Sequence, residues 1–441
     1  MANPSTAKIT WPHQGYAWFV VIILMTLYIF SFVDRMIIAL LVGPIKQHLS
    51  LTDTHIGLLH GLAFAVFYTF VGVFLARLAD SWNRVKLIAI GVLLWGLATA
   101  ACGLAGSFAS LFVARMLVGV GEATLSPAAY SLISDYFPPE KRARAMSLYT
   151  SGIYFGVGIA MIFGGLVIKL VSGGDGLDFP VVGSVEPWQA VFFLVGLPGI
   201  LFCILVRLAV KEPERREVSA SPPTFAAFRA FFMQHRSIYL GHYIGFAFLV
   251  LYSYTFSAWS PAVLTRIYGI SSADAGLWLG LAIFISAPTG IMLGSVLSTK
   301  LRPRYGKGSS VQLGAFAALL GIVPAILFPL APTVLSAILL MGLTQFMISI
   351  PFGVAPAALH EVTPNQYRGQ VIAMYLFFIN IIGLGTGPLL AGLITDYVFA
   401  DEAMIGYSLI VMAIVFLPLS AIILTRARKP FQEYTEATQH E

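Results

Sequence analysis

Charge is what this chain has least of. Asp, Glu, Lys and Arg make up 10% of its 441 residues, against about 25% in soluble domains, too few to clothe a water-facing globular surface. Cysteine is nearly as scarce. The only two, Cys102 and Cys203, lie inside apolar runs, so neither a disulfide framework nor a cysteine metal site is readable. Alternating strand patterns are missing. So are His-Glu-x-x-His, Gly-x-x-x-x-Gly-Lys-Ser/Thr and Gly-x-Ser-x-Gly, which argues against a lipid enzyme or an ATP-driven pump and implies no cofactor or metal. The N-terminus shows no basic stretch followed by a short apolar segment and a cleavage site. The run from Tyr16 is too long to be such a leader and reads as a first span.

What is abundant is apolar residue: 58% of the chain, with mean hydropathy +0.85. About twelve runs are long enough to cross a bilayer as helices. They lie near 16–43, 55–79, 86–106, 108–133, 145–170, 188–209, 238–264, 275–299, 309–330, 333–357, 369–395 and 404–425. Gly and Pro recur inside them, as membrane helices tolerate. The fold class expected is an all-α membrane protein. Of 26 Lys and Arg, 21 fall on the side of the N-terminus, three (Lys46, Lys169, Arg266) on the other and two within spans. The positive-inside rule then makes both termini cytoplasmic. The net charge of +6 is accounted for by topology and implies no nucleic-acid partner.

The longest connection, 208–237, separates a six-span half (1–207) from a second six-span half with its tail (238–441). Phe225, Phe228 and Phe232 recur there at helical spacing, which predicts a short amphipathic helix on the cytoplasmic face; a flexible linker is the alternative. The halves share a register. A shift of 226 lays Asp135, Pro138, Arg142 and Tyr149 on Glu361, Pro364, Arg368 and Tyr375. Two parallel six-helix repeats with a midplane site resemble the plan of the major facilitator superfamily. Leu75–Lys86, between the second and third spans, resembles that superfamily's loop motif, with Asp80 as the acid and Arg84 and Lys86 as the bases. It departs at Ser81 and Asn83, where Arg and Gly are usual. The resemblance implies gating by Asp80 and Arg84, and the repeat-matched Arg142 and Arg368 join that set.

Ionisable residues inside spans are few and costly, so they are functional candidates. Asp34 and Arg35 lie in the first span, Arg115 and Glu122 in the fourth, and His60 and His242 nearer span ends. Arg115 and Glu122 are seven apart, roughly 10 Å along one helix face, with Gly119 between. Asp34 and Arg115 fall at similar depths, so Asp34 is expected to pair with Arg115, while Arg35 points about 100° away. A carboxylate poised between desolvation and an arginine can take up a proton in one conformation and release it in another. Asp34 is therefore the expected carrier of a coupling proton, with Glu122 second.

The second half lacks these charges: the shift takes Asp34, Arg35, Arg115 and Glu122 to Ser260, Pro261, Met341 and Ile348. Its seventh span is aromatic instead, with Tyr252 and Trp259 among its rings and Gln345, Ser349 and Asn380 as polar neighbours in later spans. One charged wall and one greasy wall suit an amphiphile, though such a stripe equally serves packing or lipid contact. Glycines crowd the fifth and eleventh spans, where helices could pack closely or slide.

Phe32-Val33-Asp34-Arg35, Leu78-Ala79-Asp80 with Asn83-Arg84, and above all Arg115-Met116-Leu117-Val118-Gly119-Val120-Gly121-Glu122-Ala123 resemble the Spinster branch of that superfamily. Animal members are associated with sphingosine-1-phosphate export and lysolipid movement. The resemblance implies Asp34 and Arg35 in proton coupling, beside the Glu122 already read as the second proton site. Arg115 and Glu122 would hold the substrate headgroup, with Tyr252, Trp259, Gln345 and Ser349 opposite. The expectation is a monomeric proton-coupled transporter of a small amphiphile. Short loops and the lack of a usable Asn-x-Ser/Thr sequon suggest a bacterial inner membrane. The competing readings are a transporter of small organic anions, with Arg115 gripping a carboxylate, and a broad-specificity drug exporter.

Overall fold

The computed structural model describes residues 11–172, 177–179, 183–215 and 224–437. Lys8, Arg216 and the Ser-Pro-rich stretch 219–223 of the linker lie outside them. Among the described residues, ten helices are long and apolar enough to cross a membrane. One, Ser272–Leu330, covers 59 residues and holds two spans, and the shorter apolar helix Val334–Ser349 completes the twelve. The only strands among the described residues form a hairpin, Leu177–Phe179 against Gly183–Val185, in the loop between the fifth and sixth spans.

The repeat inferred from spacing recurs in the local chemistry. The fourth span begins at Phe108 behind Ser107, whose hydroxyl accepts from the Ser110 amide at 3.2 Å. The tenth begins at Val334 behind Thr333, which accepts from the Ser336 amide at 3.2 Å. Both are capping boxes satisfying orphan N–H groups, and they stand 226 residues apart. Both spans also break in the middle, the fourth at Ala123 and Thr124, the tenth over residues 350–354. Each ends on an acid held by a base from a helix end at the connection between the second and third spans of its repeat: Asp135 by Arg84, the first residue of the third span, and Glu361 by Arg302, in the last turn of Ser272–Tyr305, at 3.4 Å.

Some boundaries differ from expectation. The fifth span starts at Pro139 rather than near 145, because proline is preorganised for the first helical position and the helix continues through its polar first turns. The eleventh is π-helical over Ile379–Thr386 and Ile394–Phe399, which apolar periodicity could not show. The linker contains a helix, Phe225–Gln234. Phe228 is buried, and Phe231 stacks on Tyr367 with ring centroids 4.3 Å apart, so this helix is fastened to the second half; the side chain of Phe225 lies outside the described residues.

The halves meet where the first span touches the seventh, the second the eleventh and the fifth the eighth. The ion pairs joining them, Lys46–Glu402 and Asp53–Arg266, lie on the face away from the termini. The seventh span, Arg236–Arg266, is buried along most of its length.

Candidate functional site

The first and fourth spans bring Asp34, Arg35, Arg115 and Glu122 together inside the first half, each at most 7% exposed. Arg35 donates from Nε and Nη2 to one oxygen, Glu122 Oε2, at 2.8 and 2.5 Å. Its guanidinium carbon sits 4.6 Å from the Phe64 ring, 4.9 Å from Phe32 and 5.1 Å from Tyr68. Those ring faces attract a desolvated cation. Gly119 sets the closeness: a Cβ there would lie 2.8 Å from the Phe64 carbonyl oxygen, so only glycine lets the second span press Phe64 over Arg35.

The expected pairing of the Asp34 carboxylate with Arg115 is corrected. Arg115 Nη1 donates instead to the Asp34 main-chain carbonyl at 2.9 Å. Successive side chains of a helix diverge by about 100°, and it is Arg35 that points at the fourth-span stripe. The Asp34 carboxyl turns toward the Thr99 hydroxyl of the third span, with neither oxygen in well-formed hydrogen-bond geometry. Glu122 Oε1 and Arg115 Nε are without partners.

Residues that the sequence did not single out for the site complete it. Tyr28 stacks on Tyr149 at 5.0 Å, Tyr130 meets Tyr149 edge-on at 5.4 Å, and Tyr68 stacks on Phe64 at 5.2 Å. Tyr254 reaches across from the second half to line a cavity of about 10 Å³ with Arg35, His60, Phe64 and Leu384, at the lower limit for one water. Tyr28, Tyr68, Tyr130 and Tyr149 are scattered over four spans and leave no periodic signal, whereas Tyr254 belongs to the aromatic run of the seventh span that the sequence did mark.

The other candidates lie apart from this cluster. Tyr252 and Trp259 are fully buried in the second half, where the Trp259 indole N–H donates to the Pro388 carbonyl at 3.0 Å. Gln345 Nε2 donates to Ser349 Oγ at 2.8 Å, one turn along the tenth span. Asp80 and Arg84 are not brought together. Asp80 is exposed, whereas Arg84 is buried, donating to Glu212 at 2.7 Å, to the Ser131 hydroxyl at 2.9 Å and to Asp135. Arg142 lies in the first turn of the fifth span. Arg368 holds its own loop, donating to the Thr363 carbonyl at 3.0 Å and to Asn365 Oδ1 at 2.6 Å.

Two six-helix repeats enclosing a buried polar cluster define a membrane transporter rather than an enzyme. Residues 24–384 match the family model of the Major Facilitator Superfamily, and the chain belongs to that superfamily. Within it the chain is homologous to the Spinster proteins. It is 28% identical to mouse protein spinster homolog 1 over 420 residues, covering 88% of this chain and 75% of that one. A bacterial homologue of the human lysosomal transporter Spinster, crystallised in an inward-facing, unoccupied conformation, superposes with a TM-score of 0.79 at 26% identity. That match covers 97% of this chain and 99% of the other. An MFS-type efflux pump of Mycolicibacterium smegmatis is 26% identical over 396 residues, 87% of this chain and 86% of that one.

Proposed function

We propose that this protein moves an amphiphilic, lipid-like anion across a bacterial inner membrane by proton-coupled alternating access, with both termini cytoplasmic. The observation that carries the reading is that Arg115 meets only the Asp34 main-chain carbonyl, while the Asp34 carboxyl turns toward Thr99 and takes no ion pair. Arg35 and Glu122 neutralise each other, leaving one acid and one base. A carboxylate buried without an ion-pair partner is costly, which makes Asp34 the group on which a coupling proton is best carried. Arg115 is then a cation without a counter-ion, a natural anchor for a phosphate or carboxylate headgroup. Loss of the proton would restore an internal counter-charge and weaken that anchor. Protonation of Asp34 and anion binding at Arg115 therefore favour each other, and such coupling is reciprocal. Glu122 is the second proton site, and Arg35 holds it in place.

The aromatic surroundings of the charges and the charge-poor second half support an apolar tail on the cargo. The likeness to an efflux pump favours a second reading, a broad-specificity exporter that uses the same cluster. The test is uptake of a labelled lysosphingolipid by purified protein in liposomes, with and without a pH gradient. Gradient-dependent uptake that is lost in Asp34→Asn is expected. Full gradient-driven uptake by Asp34→Asn would refute the proton role. No lysosphingolipid uptake alongside movement of cationic drugs would replace this reading with the second.

A further inference from the structure

The face away from the termini is held shut by side chains that the coupling chemistry does not use. Asp53 opens the second span. Its carboxylate is fully buried and receives Lys46 Nζ at 2.6 Å and a two-pronged Arg266 grip at 2.6 and 2.8 Å. Lys46 also reaches Glu402 Oε2 at 2.6 Å, and Arg266 donates to the Glu402 main-chain oxygen at 3.1 Å. Behind them Asp396 accepts from the Thr54 amide and hydroxyl, both at 2.6 Å, and from the Asp53 amide at 3.2 Å. Backbone contact is equally tight: a Cβ on Gly392 would lie 2.4 Å from the Asp53 carbonyl oxygen.

We infer that Asp53, Lys46, Arg266 and Glu402 form a partner-exchanging latch that sets the balance between the closed and open states of this face. Two of the contacts lie within a half, Lys46–Asp53 in the first and Arg266–Glu402 in the second. Two cross between halves, Asp53–Arg266 and Lys46–Glu402. When the halves separate, the crossing contacts break, yet each half keeps one acid beside one base. No charge is stranded. That matters because a buried ion left without its partner is strongly unfavourable, whereas a re-paired ion is not. Asp396 has no such exchange: its acceptor role toward Thr54 and Asp53 exists only while the face is closed. The inference concerns the conformational balance and stands whatever the cargo is.

The experiment is a spin-label distance measurement on the full chain in lipid nanodiscs without cargo. Both native cysteines are replaced by alanine. Labels go on Gly106→Cys and Pro332→Cys at exposed positions on the closed face, and on Ser81→Cys with Gly369→Cys on the terminal face. Asp53→Asn and Arg266→Gln should each raise the open-to-closed ratio of the far face by about tenfold or more, with the reciprocal closure on the terminal face. The double variant should open little further, since both substitutions remove one interaction. Asp396→Asn, which leaves all four exchanging charges in place, should open the face to a smaller extent. Unchanged far-face distances in Arg266→Gln and Asp396→Asn would overturn the latch, even if Asp53→Asn failed to fold. Strict additivity of Asp53→Asn and Arg266→Gln would overturn the exchange.

Discussion

The pair of Arg35 and Glu122 makes a graded prediction. Both donors of Arg35 land on Glu122 Oε2, and Oε1 has no partner. Glutamine at 122 can put its carbonyl where Oε2 stands and its amide where Oε1 stands, so both contacts survive as bonds to a neutral acceptor. The cost should be about 1–2 kcal/mol, the loss of charge assistance. Leucine removes the acceptor and leaves a buried cation, for which about 3–5 kcal/mol is typical. The rings of Phe64, Phe32 and Tyr68 shield that cation, each such contact being worth about 0.5–2 kcal/mol, so the lower end, about 3 kcal/mol, is expected. Adding Arg35→Met to Glu122→Leu removes the stranded charge and should recover about 1–3 kcal/mol. Reversible SDS unfolding of five forms, the parent, Glu122→Gln, Glu122→Leu, Arg35→Met and the Arg35→Met/Glu122→Leu double variant, measures all these values. Equal costs for glutamine and leucine, or strictly additive single effects, would refute the idea that a desolvated pair organises this site.

Other outcomes follow from the same geometry. Gly119→Ala should push Phe64 off Arg35, lowering stability by about 1–3 kcal/mol and reducing uptake in the liposome assay. Arg84→Lys cannot reproduce the guanidinium fork among Glu212, Ser131 and Asp135, and should destabilise by several times as much as Asp80→Asn. The latter, at an exposed position, should stay within about 0.5 kcal/mol of the parent, and thermal unfolding in detergent ranks the two. Trp259→Phe forfeits one buried hydrogen bond, at a cost of about 1 kcal/mol, and should leave uptake at the parental level. A large loss of uptake with unchanged stability would instead place that indole against the cargo.

Hydropathy made the twelve spans legible, and the rarity of charge in lipid pointed to Asp34, Arg35, Arg115 and Glu122. Depth along the helix axis was legible too, since Arg115 does meet residue 34. Azimuth was not: which of two consecutive side chains faces the fourth span depends on how the helices are rotated, and no spacing within one helix records that. The latch was hidden for another reason. Lys46, Asp53, Arg266 and Glu402 come from four span ends, where isolated charges look like ordinary solvated decoration. The rings of Tyr252 and Trp259 showed the limit of composition: an aromatic run looks the same whether it lines a cavity or fills a core.

The linker carries a mechanical consequence. Its first residues belong to the first half, where Glu212 is held by Arg84 and Arg215 donates to the carbonyl oxygens of Ala79 and Trp82 at 2.8 and 2.5 Å. Its helix belongs to the second half through Phe231 and Tyr367. Between Arg215 and Phe225 the chain advances by ten residues, which reach no further than about 35 Å when fully extended. The linker is therefore a leash of fixed length. However the halves rock, those two anchor points cannot separate beyond it, so the widest terminal-side opening this transporter can adopt is bounded by its own covalent chain.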